Sequence, residues 1–316
     1  MIARIQKNND FLVSIIAPVF NEEKCIEPFV EAIQKELGLH SYNFEIIFIN
    51  DGSNDETEAL INKIALEHHK IKLISFSRNF GKDVALTAGL DFSDGDMVIP
   101  IDVDLQHPAS IIPKMISLWQ QGYDVVNARR SDLDQETIFK RFFSKIFYSI
   151  FNSLSSMPLP AKIGDFRLLD REVVLQLRNL RETHRFMKGL FAWVGYNQIA
   201  ITYNRPNRMY GHTKWQFTSL FNFAINGITS FSVSLLRLSM IIGFAVSFLG
   251  FVYAGFTIYQ TIIFGIDVPG YASLIILVLI LGGVQLISMG IQGEYIGKIY
   301  EQVKDRPLYI IKNKNF

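Results

Sequence analysis

Two stretches in the last third of the chain decide where such a protein can live. Leu238 to Ile266 carries no charged side chain, and neither does Val268 to Gly293. Each run exceeds the roughly 20 residues that cross a bilayer core. Two helices of that length without a charge would be unusual inside a soluble domain. The loop between them, around Asp267-Val-Pro269-Gly270, has no Lys or Arg, whereas Arg237 precedes the pair and Lys298, Lys304, Arg306, Lys312 and Lys314 follow it. The positive-inside rule then keeps both flanks in the cytoplasm. The expectation is a multi-pass helical hairpin anchored in the cytoplasmic (inner) membrane, with both termini and the upstream domain on the cytoplasmic side.

What precedes the hairpin is built differently. Met1 to Phe11 is polar and offers no apolar core segment, so no cleavable leader is expected. The net charge of +1 and the lack of a basic tract before the C-terminus argue against nucleic acid as a partner. Cys25 is the single cysteine, which excludes an internal disulfide framework and fits a reducing compartment. The aromatic residues are uneven, with Phe concentrated after residue 138, as if the two halves faced different solvents.

Short apolar runs alternate with helical patterns through the first half. Strands are expected at Leu12 to Val19, Phe44 to Ile49, Ile71 to Phe76 and Met97 to Ile101, with helices at Glu22 to Leu37, Asp55 to Glu67 and Asp83 to Asp91. That order predicts parallel βαβ units, an α/β sheet with helices on both faces. Ligands of such sheets bind at the carboxyl ends of the strands. Polar residues cluster there: Asn21-Glu22-Glu23, Asn50-Asp51-Gly52-Ser53-Asn54-Asp55, and Ser77-Arg78-Asn79-Phe80-Gly81-Lys82. Ser53 or Asn54 suits a helix cap, a role that does not account for Asp51. No Gly-x-Gly-x-x-Gly follows the first strand and no Walker lysine is present, which disfavours a dinucleotide site or a P-loop. Gly81, Ala85 and Gly89 recur every four residues, a spacing that signals close helix packing.

The fourth strand runs into Asp102-Val-Asp104-Leu-Gln106-His107. Alternate residues of a strand share a side, so Asp102 and Asp104 are expected to face one site. With the Gln106 amide they form a set of hard oxygen donors suited to Mg²⁺ or Mn²⁺, whose remaining shell would come from phosphate and water. Two amphipathic stretches complete the pattern. Phe139, Phe142, Phe143, Ile146, Phe147, Ile150, Phe151 and Leu154 recur at helical spacing beside Lys140, Arg141 and Lys145, and a second stripe runs from Trp215 to Ile228. Both suit helices lying in the headgroup region, although the first could instead pack on protein.

Pro18-x-Phe20-Asn21-Glu22, Asn50-Asp51-Gly52-Ser53 and Asp102-Val-Asp104-x-Gln106 resemble the motifs of family 2 glycosyltransferases with the GT-A fold. Gly164-Asp165-Phe166-Arg167-Leu168 and Arg208-x-x-Gly211-x-Thr213-Lys214-Trp215 are similar to those enzymes of the family that glycosylate polyprenyl phosphates. Phe186-Met-Lys-Gly-Leu and Gly227-Ile-Thr-Ser-Phe-Ser232 resemble the bactoprenol glucosyltransferase branch more than the dolichol-phosphate mannose synthases. The resemblance implies a GT-A core at 1–136 that binds a nucleotide sugar, an acceptor-side part with interfacial helices at 137–234, the hairpin at 235–295, and a basic cytoplasmic tail at 296–316. It implies that Pro18, Phe20, Glu22 and Asp51 line the nucleotide pocket with Asp102 and Val103. Asp102, Asp104 and Gln106 would hold the metal and donor diphosphate. Arg129, Arg208 and Lys214 would meet phosphate charge, with Thr213 in the same closing loop.

Asp165 matches the residue usually assigned as base; Arg167, two residues on, is one candidate cation beside it, and Lys214 and Arg208 are others. A phosphate acceptor is already ionised near neutral pH, so an orienting role for Asp165 is the expectation. Phe20 stands where Tyr is common and Thr213 where Ser is common; neither change removes a charge or a metal ligand. The implied reaction is inverting transfer of a hexose, glucose from UDP-glucose being favoured over GDP-mannose or a UDP-amino sugar, to undecaprenyl phosphate. A homo-oligomer is compatible with it. A processive polysaccharide synthase would be expected to carry Gln-x-x-Arg-Trp and further spans. A scaffold or lipid-flipping partner would have little need of every acidic motif residue.

Overall fold

Strand β1 (Leu12–Val19) is apolar on both faces, as a strand with neighbours at both edges and helices above and below must be. It pairs in parallel with β2 (Asn43–Asn50) and with β4 (Met97–Pro100), and β2 pairs in parallel with β3 (Ile71–Phe76). The computed structural model describes residues 11–131, 163–204, 229, 232–265 and 270–316. Within these residues the sheet is eight-stranded, in the order β7-β5-β6-β4-β1-β2-β3-β8. Strand β6 (Ile163–Asp170) runs antiparallel to both β4 and β5 (Val125–Arg130), and β7 (Gln198–Tyr203) lies parallel to β5 at the edge.

Helices cover both faces. On one side α1 (Glu23–Leu39) and α4 (Ile112–Gln120) pack Phe29, Ile33, Met115 and Trp119 against β1, β2 and β6. On the other, α3 (Lys82–Phe92), α5 (Arg171–Asn179) and α6 (Met187–Trp193) bring Leu86, Val173 and Phe191 onto Ile16, Ile49 and Leu169. Helix α2 (Thr57–Glu67) buries Ile61 in the first of these cores. Gly89 bears out close helix packing at one position of the four-residue spacing, since a Cβ there would overlap the Ile16 side chain and α3 sits directly on β1, whereas a Cβ at Gly81 would meet nothing within 4 Å. Two buried carboxylates between the layers are tied down. Glu45 accepts from Ser14 Oγ and lies 2.7 Å from Lys72 Nζ, while Asp170 caps α5 through Glu172 N–H and takes Trp119 Nε1–H at 2.6 Å.

Two findings depart from the sequence expectations. Strand β4 ends at Pro100, one residue before the expected limit, so Asp102 and Asp104 stand in a turn. The alternation argument for their shared direction therefore does not apply. The segment expected as a basic tail contains β8 (Ile311–Lys314), which pairs antiparallel with β3. It is anchored by Asn315 Oδ1, which accepts Leu73 N–H at 2.7 Å, and by Tyr309, which stacks on Phe76 and donates to Asp91 at 2.8 Å.

Helices α7 (Ser234–Phe264) and α8 (Tyr271–Val303) pack along each other. Helix α7 is long and apolar enough to cross a membrane, and none of its most apolar window is buried in protein. Phe244 and Ile262 are each 75 % exposed, which water would penalise and hydrocarbon would not. The far end of α8 docks on the sheet domain, where Gln302 accepts Thr183 N–H at 2.8 Å and donates to Arg181 C=O at 3.2 Å, and His184 Nε2 lies 3.0 Å from Glu301. The helix expected from Phe139 to Leu154, the stripe from Trp215 to Ile228 and the Asp267 loop lie outside the described residues.

Candidate active site

The carboxyl ends of β1, β2 and β3 converge through backbone hydrogen bonds. Asn21 adopts a left-handed φ of 55°. Its N–H donates to Ser53 Oγ at 2.9 Å, and its Oδ1 accepts Asn54 N–H at 2.8 Å. Asn50 is fully buried, accepts Ser53 N–H at 2.9 Å and donates to Glu58 at 3.2 Å. Asp51 reaches across to the third loop, where its two oxygens accept Phe80 N–H at 2.6 Å and Gly81 N–H at 2.9 Å. Burial pushes its carboxyl above the usual range, while those two N–H groups and Arg78 pull the other way. Pro18, Phe20 and Glu22 stand half-buried along the same rim, with Glu22 N–H on Thr57 Oγ1 at 3.1 Å.

The turn after β4 forms the next wall. Leu105 takes a left-handed φ of 57°, and Asp104 Oδ1 accepts Gln106 N–H at 3.1 Å. Val103 is buried in the apolar core, so any donor contact from it runs through its backbone. Gln106 is 7 % exposed, and its Oε1 is buried without a hydrogen-bond partner. An orphaned amide oxygen beside a buried carboxylate is costly unless something else completes it. A hard divalent cation would do so, and the donor types fit Mg²⁺ or Mn²⁺. Among the described residues no trio of His, Cys, Asp or Glu forms a closed metal cage.

At the centre stands Lys82, the first residue of α3. Its Nζ lies 2.7 Å from Asp102 Oδ1 and 2.8 Å from Asp165 Oδ2, linking the β4 turn to β6. Burial alone would lower the lysine, but the two carboxylates outweigh it and raise its pKa. Burial likewise would raise Asp102 and Asp165, and Lys82 holds both below the carboxylate range, helped at Asp102 by His107. His107 is buried, with Nε2 3.8 Å from Asp102 and Nδ1 2.7 Å from Tyr203 OH. Asp83 is pushed up to about 6, by burial first and the charge of Asp165 second. Lys188, on α6, is lowered by burial while Asp165 opposes the shift.

Residues 14–178 match the family described as glycosyl transferase family 2, and residues 236–299 match the GtrB C-terminal hairpin. The chain is a family 2 glycosyltransferase. It is 46 % identical over 303 residues to the SfII prophage-derived bactoprenol glucosyl transferase of Shigella flexneri, covering 96 % of this chain and 98 % of that protein. A prophage bactoprenol glucosyl transferase homolog of Escherichia coli K12 is 46 % identical, covering 95 % and 98 %. An uncharacterized glycosyltransferase of Synechocystis is 45 % identical, covering 95 % of each chain. The glycosyltransferase has the mostly parallel GT-A sheet expected of its family, and its one helix among the described residues that is long and apolar enough to cross a membrane, α7, fits association with a bilayer.

Of the residues expected at this glycosyltransferase's site, the described structure gathers Asp51 with the third-strand loop and Asp102 with Asp165. It does not pair Asp165 with Arg167. Arg167 is buried, donates from Nη2 to Gly164 C=O at 2.6 Å and stacks at 3.9 Å over the Phe191 ring; burial lowers its pKa to about 10. Among the described residues the cation in direct contact with Asp165 is Lys82, with the charge of Lys188 also acting on it. Arg129 is exposed on β5, while its neighbour Arg130 is half-buried with Nε unpartnered. Arg205, Arg208, Thr213 and Lys214 lie outside the described residues. Lys82, Asp83, His107 and Lys188 went unassigned in the sequence reading. Lys82 and His107 stood in the strand-end clusters, but nothing in their spacing told a bridging lysine from a solvated one.

Proposed function

We propose that this glycosyltransferase moves a hexose from a nucleotide sugar to a polyprenyl phosphate at the cytoplasmic face of the membrane. Glucose from UDP-glucose and undecaprenyl phosphate are the favoured pair. The observation that carries this reading is the similarity, spanning catalytic domain and hairpin together, to proteins named bactoprenol glucosyl transferases. In it α7 and α8 both span the bilayer and both termini face the cytoplasm, as the basic residues flanking the pair favour. Docking of Glu301 and Gln302 on the 181–184 segment supports a catalytic domain held close to the surface, where a lipid-borne phosphate must be met.

Pro18, Phe20, Glu22 and Asp51 receive the nucleotide. Asp104 and Gln106, with Asp102, would hold Mg²⁺ or Mn²⁺, which when bound offsets the charge building on the leaving diphosphate. Arg129, Arg208 and Lys214 add positive charge to the same end. An oxygen of the acceptor phosphate attacks the anomeric carbon, the bond from that carbon to the diphosphate oxygen breaks, and the configuration inverts. The acceptor's second pKa is about 6, so at neutral pH it has little proton to give up. Asp165, kept ionised by Lys82, then orients the sugar and the surrounding cations.

The test is incubation of the purified protein in detergent with Mg²⁺, undecaprenyl phosphate and radiolabelled UDP-glucose, GDP-mannose or a UDP-amino sugar in separate tubes. Label should enter the organic phase from UDP-glucose. Transfer from another donor alone would reject the sugar assignment, and no transfer from any would reject the acceptor.

A further inference from the structure

Both oxygens of Asp102 are taken by one ammonium. Lys82 Nζ lies 2.7 Å from Oδ1 and 2.9 Å from Oδ2, and the same nitrogen lies 2.8 Å from Asp165 Oδ2. The lysine is partly desolvated but stays reachable by solvent, its side chain being 43 % exposed while those of Asp102 and Asp165 are 32 % and 15 % exposed. Its backbone position is set by the donor loop, because Asp51 accepts the N–H of Gly81 immediately before it at 2.9 Å. Gln106 Oε1, two residues beyond Asp104, meanwhile has no partner. One carboxylate of the donor set is thus occupied by a side chain while a neighbouring amide oxygen waits.

A divalent cation needs the oxygens that Lys82 holds. It also repels an ammonium at contact distance, and that repulsion is large in a partly desolvated cleft. The two cations therefore compete for Asp102. A nucleoside diphosphate changes the balance, because it brings its own oxygen ligands and negative charge to the metal. We propose that Lys82 is a built-in counter-cation that occupies Asp102 until metal and nucleotide arrive together, and then releases Asp102 while keeping Asp165. Metal binding is thereby tied to donor binding. This role rests on the metal-dependent reading above and makes Lys82 a positioning residue acting through two carboxylates.

The test reads metal occupancy, not turnover. Purified full-length protein in detergent is titrated with Mn²⁺ without nucleotide and free Mn²⁺ is followed by electron paramagnetic resonance. Wild type should bind weakly, Lys82→Met about tenfold or more tightly, and Lys82→Arg, which keeps the charge, as weakly as wild type. Asp104→Asn in the Lys82→Met background should abolish the gain and so locate the ion. Circular dichroism and thermal unfolding check each variant's fold, and Lys82→Gln, which removes the charge but keeps a polar head, replaces Met if that variant misfolds. A folded Lys82→Met or Lys82→Gln protein that binds Mn²⁺ no better than wild type overturns the proposal, as does wild type that binds tightly without nucleotide. Absence of binding in every variant even with UDP would overturn the metal reading and this role together. Transfer of label to lipid would then show whether the enzymatic reading survives them.

Discussion

Gly52 is the position where one added methyl group tests the loop proposed to receive the nucleotide. Its φ of +72° lies in the left-handed region, and a Cβ there would stand 2.6 Å from the carbonyl carbon of Arg78 and 2.8 Å from the amide nitrogen of Asn79. Both are backbone atoms, in the segment that leads to the two N–H groups held by Asp51. The left-handed conformation costs alanine about 1–2 kcal/mol. Overpacking against a backbone that cannot rotate away adds about 1–3 kcal/mol. Gly52→Ala should therefore lose about 2–5 kcal/mol, divided between stability and the geometry of the loop. If as little as 2 kcal/mol falls on the nucleotide-bound state, UDP affinity drops about 30-fold.

Gly38 supplies the control. It lies in the last turns of α1 with nothing within 4 Å of an added Cβ, so alanine there should be neutral or stabilising by up to about 1 kcal/mol. Thermal unfolding and calorimetric titration with UDP in detergent read both quantities. A Gly52→Ala protein matching wild type in both would refute the packing of this loop and its place at the donor site.

Three further outcomes are expected. Asp104→Asn should abolish transfer at any practical Mg²⁺ or Mn²⁺ concentration without unfolding the protein; near-normal turnover would remove it from the metal set. A cysteine at Ser273, with Cys25 replaced, should react with an impermeant thiol reagent in whole cells while one at Lys312 should not, and the reverse pattern would invert the topology. Asp83, at about 6 when folded against about 4 unfolded, holds a proton that the unfolded chain has lost between those values. Stability therefore falls as pH rises through that window, and the penalty is complete above it. Asp83→Asn should raise the unfolding midpoint at about pH 8 and give no gain at about pH 4; a gain independent of pH would refute the assignment.

The parts legible in the sequence are those carried by periodicity. The strands β1 to β4 and helices α1 to α3 fall close to where apolar runs and helical spacing put them, because the strands are buried on both faces and their few polar residues, such as Ser14 and Glu45, do not break the apolar runs. Gly89 was readable as packing for a similar reason, since only a helix pressed onto a sheet needs a missing side chain there. The chemistry was half legible. Asp51, Asp102 and Asp165 were singled out from motif and position, but Lys82 was not, because its role exists only where α3, the β4 turn and β6 meet. Long-range pairing hid Arg167 in the same way: its sequence neighbour is Asp165, yet its guanidinium lies on Phe191 of α6. Strand β8 was illegible outright. Ile311-Lys-Asn-Lys314 has one apolar residue and no alternation, and only the open edge of β3 makes it a strand.

That last strand sets a clock on biosynthesis. Leu73 N–H is held by Asn315, 242 positions further along the chain. At about 5–20 residues per second, the edge of β3 waits about 10–50 s between its own emergence and the arrival of its partner. In the proposed topology the wait includes insertion of α7 and α8. An uncovered strand edge is a template for pairing with other chains, so in that topology a delay in threading the hairpin leaves the sheet edge exposed for longer. Hairpin variants that insert slowly should accumulate as aggregates of the catalytic domain even when every residue of that domain is unchanged. Membrane insertion and sheet completion are in this sense one folding event, closed by the residues made after the hairpin.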